Sequence, residues 1–284
     1  MAELSLCSIR QWYNTRGALM SGTLFVVATP IGNLDDITLR ALRILGGVAV
    51  IAAEDTRRTA HLLARHAIRT PTTSLHAHNE SRKAPTLVSR ILAGDDVALV
   101  SDAGTPTVSD PGLALIRAAI DAGIRVEPIP GPNAAVAALS ASGLPGDAFT
   151  FLGFPPTGSS DRKRWFARLV TIGGIAVFYE APHRIQRTLG ELTEFIGDRP
   201  IVVARELTKI HEELVRGPIS AVLGRLSSNR GEFTVIIDIG QSTESSRPAS
   251  DVATGSKRAV ISALARELGV SANALYEVAA SLRK

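Results

Sequence analysis

Short apolar runs at residues 24–28, 48–52, 97–100 and 125–129 alternate with stretches whose apolar side chains recur at helical spacing. That alternation restricts the first half of the chain to a parallel sheet covered by helices. Within 36–45, Ile37, Ala41, Leu42, Ile44 and Leu45 share a helical face, and Gly46-Gly47 stop the helix. Asp110-Pro111 predicts a second helix, with Asp110 as N-cap, Pro111 in the first position, and Leu113, Ile116, Ala119 and Ile120 as its buried stripe.

A break at Gly143-Leu144-Pro145-Gly146 opens a second half of different character. Strands are expected there at 149–154, 175–179, 201–204, 212–216 and 233–239, and helices at 162–170 and 182–196. Only a short helical piece at 219–226 separates the last two strands, so this sheet is expected to be mixed. The expected architecture is therefore α/β, with two α/β domains at 21–146 and 147–240. Residues 1–20 are expected to be a disordered extension, with Met20 an alternative start. Residues 241–256 read as a polar linker, and 257–284 as a small pair of helices broken at Gly269.

Composition narrows the setting. One cysteine, Cys7, excludes an intrachain disulfide and a Cys-based zinc site, and points to a reducing compartment, the cytoplasm. The longest apolar run, residues 44–53, falls far short of the ~20 residues of a membrane helix, so no membrane association is expected. A net charge of +4 permits an anionic partner without demanding one, because solvated charge explains it as well.

In open α/β sheets, ligands gather at the carboxyl ends of the strands, so the loops there carry the chemistry. Thr29-Pro30-Ile31-Gly32-Asn33 is a tight turn but not a dinucleotide fingerprint, and the chain contains no Walker A motif. The stretch SDAGTPTVSDPG at 101–112 is more telling. Gly104 lets the backbone approach a ligand, N–H groups of Ala103, Gly104 and Thr105 can receive a carboxylate, and Asp102 can accept from an ammonium or a ribose hydroxyl. The loop suits an amino-acid-like ligand that carries a ribose. Phe151-Leu152-Gly153-Phe154 offers an apolar wall for a purine, although core packing explains the two phenylalanines equally well. Glu54, Asp55, Arg57 and Arg58 end the second strand, either as a polar cleft or as a surface ion-pair cluster. Glu180, Ala181, Pro182 and Arg184 occupy the corresponding place in the second half, and Lys209 follows the next strand. His76, His78 and Glu80 would face together on a strand as metal ligands, but no third nitrogen accompanies them and no metal is expected.

Taken together, GTLFVVATPIGNLDDITLRAL (22–42), AAEDTRRT (52–59), HNE (78–80), VALVSDAGTPTVSDPG (97–112), PGPNAAVAALSASGLP (130–145), FYEAPHR (178–184), ARELTKIHEE (204–213) and GEF (231–233) resemble the small-subunit ribosomal RNA ribose-2′-O-methyltransferases, of the tetrapyrrole-methylase-like fold group. The resemblance spans about residues 22–240 and departs at Asn133, where that family usually has Ser. It implies S-adenosylmethionine as methyl donor, a cofactor cleft between the two domains, a cytidine ribose in the decoding region of the small ribosomal subunit as acceptor, and a homodimer. Under that implication the donor's methionine end lies on Asp102–Pro106, its adenine near Phe151, Leu152, Ala181 and Pro182, and Pro30 floors the methyl group. Glu54, Asp55 and Glu180 are the candidate bases, without a ranking, and Arg57, Arg58, Arg184 and Lys209 the candidate phosphate grips, with Arg162, Lys163 and Arg164 as a possible extension. The basic C-terminal pair (Lys257, Arg258, Arg266, Arg283, Lys284) is expected to touch RNA or ribosome. The rival readings are a tetrapyrrole or diphthine methyltransferase of the same fold and a non-catalytic RNA-binding ribosome-assembly factor.

Overall fold

The computed structural model describes residues 21–240 and Ser271. The expected N-terminal extension, the linker at 241–256 and the helical pair at 257–284 lie outside the described residues, Ser271 apart.

Five parallel strands, β1 (Thr23–Val27), β2 (Val50–Ala53), β3 (Thr72–Ser74), β4 (Val97–Val100) and β5 (Arg125–Ile129), form a sheet in the order β3-β2-β4-β1-β5. Every residue of β2 and β4 is buried, as expected of parallel strands covered on both faces. Alternate residues serve opposite faces. Val50, Ala52, Val97 and Leu99 pack against α3 (Glu80–Leu92) and α4 (Leu113–Asp121). Ile51, Ala53, Ala98 and Val100 pack against α1 (Leu39–Gly47) and α2 (Thr56–Arg65).

The second sheet has the order β6-β7-β10-β8-β9, from β6 (Phe149–Phe151), β7 (Ile175–Glu180), β8 (Pro200–Arg205), β9 (Glu213–Pro218) and β10 (Phe233–Asp238). It is mixed, as expected, but not because of the short connection before β10: β9 and β10 both run antiparallel to β8, which lies between them, so they are parallel to each other. The β6–β7 pairing is parallel and the other three pairings are antiparallel. One face packs under α6 (Ser159–Ile172), α7 (Ile185–Ile196) and α8 (Ile219–Arg225). The other face is covered by α5 (Ala134–Ser140), whose Ala135, Ala138 and Leu139 meet Ile175, Val177, Val202 and Ile236. Thus α5 follows the last strand of the first sheet yet packs on the second. The turn at 130–133 therefore crosses from one sheet to the other, and the crevice lies beside that crossing. Asn133 caps α5 by accepting from the amides of Ala135 and Val136 (3.1 and 3.2 Å), a role serine fills equally well.

Several expectations are corrected. The first helix begins at Leu39 with Thr38 as cap, after a 3-10 turn at Leu34–Asp36. Asp110 is not the cap of α4. That helix starts from Gly112 at φ 123°, and the Glu80 carboxylate of α3 accepts from the amides of Ala114 and Leu115. The buried face of α4 is Leu115 and Ala119, while Leu113 and Ile120 are exposed. Its sequence is apolar on nearly all sides, so spacing alone could not set its phase. The segment holding His76 and His78 is a turn rather than a strand, and Asn79 closes it by accepting from the His76 amide (2.9 Å). Glu80→Ala removes the only side chain capping α4 among the described residues and is expected to lower stability by about 1 kcal/mol. Urea denaturation checks this, and an unchanged midpoint would count against the capping role.

Candidate functional site

The carboxyl ends of β1, β4 and β5 face the loops after β7 and β8, and a cavity of about 320 Å³ lies between them. That is enough for a small ligand by the general range of such sites. The first half contributes Ile31, Ala103–Thr105 and Val108–Asp110 of one loop, Asn133 and Ala134, while Pro106 is not on the wall; the second contributes Phe154, Tyr179, Glu180, Ala181, Pro182, Ala204 and Leu207, with Glu232, Phe233 and Thr234 from the start of β10.

The loop after β4 is held by its neighbours. Thr29 and Gly104 exchange both backbone hydrogen bonds at 2.9 Å, and the Thr105 hydroxyl donates to the Pro132 carbonyl (3.2 Å). Gly104 sits at φ 79°, where a glycine carries no steric penalty. Thr107 and Ser109 both adopt φ 70°, a costly region for non-glycine residues and one that collects at ligand sites. The amide of Gly104 is thus committed to Thr29, and that of Asp102 to a Glu54 oxygen (3.3 Å). Pro106 has none. Among the described residues, the amides of Ala103 and Thr105 keep no protein partner, so they are the donors that can receive a carboxylate.

Carboxylates crowd the same end. Asp102 accepts from the Asp55 amide (2.9 Å) and meets Arg58 at 3.4 Å, and it is not on the cavity wall. Asp110 is on the wall. Burial pushes its carboxyl up to about 6, against a hydrogen bond from Ser101, and the charges of Glu54 and Asp102 push the same way. Burial likewise raises Glu54, only partly offset by its hydrogen bond from the Asp102 amide. Asp55 is the N-cap of α2, bonded to the Arg57 amide and guanidinium, which hold it down at about 2.

Glu180 lines the cavity but is fully engaged. One oxygen accepts from the Ala181 amide and from Arg184, both at 2.6 Å, and the other from the Thr188 hydroxyl at 2.6 Å. Arg184 also donates to the Pro155 carbonyl, so this ion pair ties both ends of the apolar wall. On that wall Tyr179 stands edge-on to Phe151 (4.9 Å) and Phe154 (5.5 Å). Phe154, half exposed, reaches the cavity; Phe151 and Leu152 lie behind it in the core.

The two halves are clasped beside the cavity. The Asn33 amide donates to Thr208 Oγ1 (2.9 Å). A side chain at Gly32 would meet Lys209 Cγ at 2.5 Å and the Leu207 carbonyl oxygen at 2.7 Å. Glu206 and Thr208 hold φ 50° and 64°. Lys209 bridges Glu206 (2.8 Å) and Glu232 (3.1 Å).

Of the residues singled out from sequence, Ala103, Gly104, Thr105, Glu180, Ala181 and Pro182 meet at the cavity. Pro30 is buried and does not line the cavity, whereas its neighbour Ile31 does. All four candidate grips are in ion pairs, Arg184 with Glu180, Lys209 with Glu206, Arg57 with Asp55 and Arg58 with Asp102, but Arg57 and Arg58 keep side chains 88% and 60% exposed. Arg162 is buried, bonded to Glu191 and to the carbonyls of Pro156 and Thr157, so it anchors the turn below Phe154 and extends no surface track. Glu80 caps α4 and His76 bonds Asn79 (3.0 Å); among the described residues no three His, Cys, Asp or Glu side chains group as a metal site. Asp110 does not cap the helix it was expected to cap, and the cavity is also lined by Ser109, Asn133 and Thr234, which the sequence did not single out as cavity residues. Ser109 lies in the loop after β4, Asn133 follows β5 and Thr234 stands at the start of β10.

A family model described as Tetrapyrrole (Corrin/Porphyrin) Methylases matches residues 23–223. Ribosomal RNA small subunit methyltransferase I of Xylella fastidiosa is 48% identical over 221 residues, covering 76% of this chain and 81% of the relative. The protein of the same name from Escherichia coli O157:H7 is 42% identical over 272 residues, covering 91% and 94%. Among solved structures, uroporphyrin-III-C-methyltransferase from Thermus thermophilus superposes with a TM-score of 0.53 at 22% identity, covering 77% of this chain and 95% of that one, a likeness of fold.

Proposed function

The chain belongs to the tetrapyrrole methylases and, within them, to the ribosomal RNA small subunit methyltransferase I group, and from that membership we propose that it methylates the ribose 2′-hydroxyl of a cytidine in the decoding region of small-subunit ribosomal RNA. The observation that carries the reading is a cavity lined both by Ala103 and Thr105, whose amides have no protein partner among the described residues, and by Tyr179 and Phe154.

That arrangement fits S-adenosylmethionine, which supplies an electrophilic methyl on a positively charged sulfur. The amides of Ala103 and Thr105 receive its carboxylate, and Tyr179, Phe154, Ala181 and Pro182 enclose its purine. Ile31 floors the centre. In-line transfer asks the protein mainly to align two reactants, and the clasp from Asn33 to Thr208 holds the two walls at a set distance. Arg57 and Arg58 begin α2 at the same end of the sheet and offer exposed guanidinium groups to RNA phosphates. The protein acts in the cytoplasm on ribosomal subunits, as a homodimer; among the described residues no helix is long and apolar enough to cross a membrane.

Replacing Arg57 and Arg58 together with Ala is expected to weaken subunit binding and to lower the slope of log affinity against log salt by about 2, leaving donor affinity unchanged. Filter binding over a salt series measures this; an unchanged slope removes the two arginines from the RNA surface. The reaction itself is tested by transfer of labelled methyl from S-adenosylmethionine to small subunits from cells lacking the protein, with the modified nucleotide mapped. A 2′-O-methylated cytidine supports the reading. Donor binding without transfer moves the acceptor to a tetrapyrrole or a protein, and absence of both leaves a non-catalytic RNA-binding factor.

A further inference from the structure

Resting on that reaction, we propose that Asp110 takes the proton of the ribose 2′-hydroxyl as the methyl group is transferred. A ribose hydroxyl is a weak acid, so a base positioned on the cavity wall accelerates its attack. The other carboxylates are poorly suited. Asp55 is spent as a helix cap paired with Arg57. Both oxygens of Glu180 are taken by Arg184, Thr188 and the Ala181 amide, and a carboxylate held by a cation is a weak base. Glu232 is exposed and pairs with Lys209. Glu54 bonds the Asp102 amide and does not line the cavity. Asp110 lines the cavity and has no cation paired with it among the described residues.

Its surroundings suit the task. The groups facing it are Ser101 from its own loop, the carboxylates of Glu54 and Asp102, and Tyr179 on β7. Burial and the two like charges make it a stronger base than an ordinary carboxylate, yet a carboxyl pushed up to about 6 is still largely ionised at neutral pH. The step balances. A lone pair on the 2′-oxygen forms the bond to the methyl carbon, the methyl–sulfur electron pair remains on sulfur, and the hydroxyl proton passes to an Asp110 oxygen. Sulfur loses its positive charge as Asp110 loses its negative one, so no net charge is stranded in a cavity of low polarity.

The test uses the full-length protein with small subunits lacking the modification. Single-turnover rates and kcat/KM for the donor are followed from about pH 5 to pH 8, and donor affinity is measured by calorimetry. Wild type is expected to rise through about pH 6 to a plateau, because the ionised carboxylate is the active form. Asp110→Asn is expected to slow transfer about 10²–10⁴-fold, to abolish the acid limb and to leave the donor Kd within about threefold. Ser101→Ala, which removes the hydrogen bond favouring the ionised carboxylate, moves the acid limb to higher pH while its plateau persists. The Ser101→Ala profile decides the matter should Asp110→Asn lose its cooperative melt. Transfer by Asp110→Asn at near wild-type rate, or a donor Kd weakened tenfold with the saturated rate kept, overturns the assignment. Wild-type protein that binds donor but modifies no ribosomal RNA instead overturns the reading on which it rests.

Discussion

Arg184→Ala is expected to destabilise the protein by about 3 kcal/mol, the low end of what removing one partner of a buried ion pair costs. The Glu180 side chain is completely buried and that of Arg184 is only 16% exposed, so truncation leaves a carboxylate with its charge uncompensated. The Thr188 hydroxyl and the Ala181 amide still solvate it, which is why a value beyond the usual range is not expected. The same truncation releases the Pro155 carbonyl, so Phe154 loses its support and donor affinity falls along with stability. Urea denaturation and donor calorimetry on one preparation measure both. A loss below about 1 kcal/mol would mean that water reaches Glu180 and that the pair is not structural.

Gly32→Ala is expected to do the second largest damage, chiefly to function. The added methyl would lie 2.5 Å from Lys209 Cγ and 2.7 Å from both the Leu207 carbonyl oxygen and Thr208 Oγ1. A lysine stem can bend away, but a backbone carbonyl cannot, so the 207–209 loop must lift. That strain costs about 1–3 kcal/mol. Lifting also breaks the bond from the Asn33 amide to Thr208 and widens the gap between Ile31 and Leu207 on the cavity wall. A displacement near an ångström is enough to slow an aligned reaction about 10²-fold. The measurement is the single-turnover rate at saturating donor, with Thr208→Ala as companion, since it removes the bond without the clash. Wild-type rates in both variants would show that the clasp does not set the geometry of transfer.

The α/β class was legible in the residues because it rests on local chemistry. Runs such as VALV at 97–100 are buried from end to end only in a strand covered on both faces. Elements with weak local signals escaped. The three-residue β3 (TTS) is stabilised by pairing with β2, and α2 (TRRTAHLLAR) is a largely polar helix defined by its Asp55 cap and its Leu62–Leu63 contact. α3 carries Pro85 within its span.

Residue types and their order determined which groups stand at strand ends. They did not determine which of those groups are free. Asp110 and Asp55 look alike as acids placed before helices, and both fit an N-cap by sequence. Only the fold shows Asp55 capping α2 while Glu80, some thirty residues upstream of Asp110, caps α4 and leaves Asp110 to the cavity. Arg184 and Arg58 were equal candidates for phosphate, but one is drawn inward by Glu180 and the other stays at the surface. The physical reason is the same in each case. A polar group's role is set by whichever partner reaches it first within hydrogen-bond distance, and partners distant in sequence are brought there only by packing.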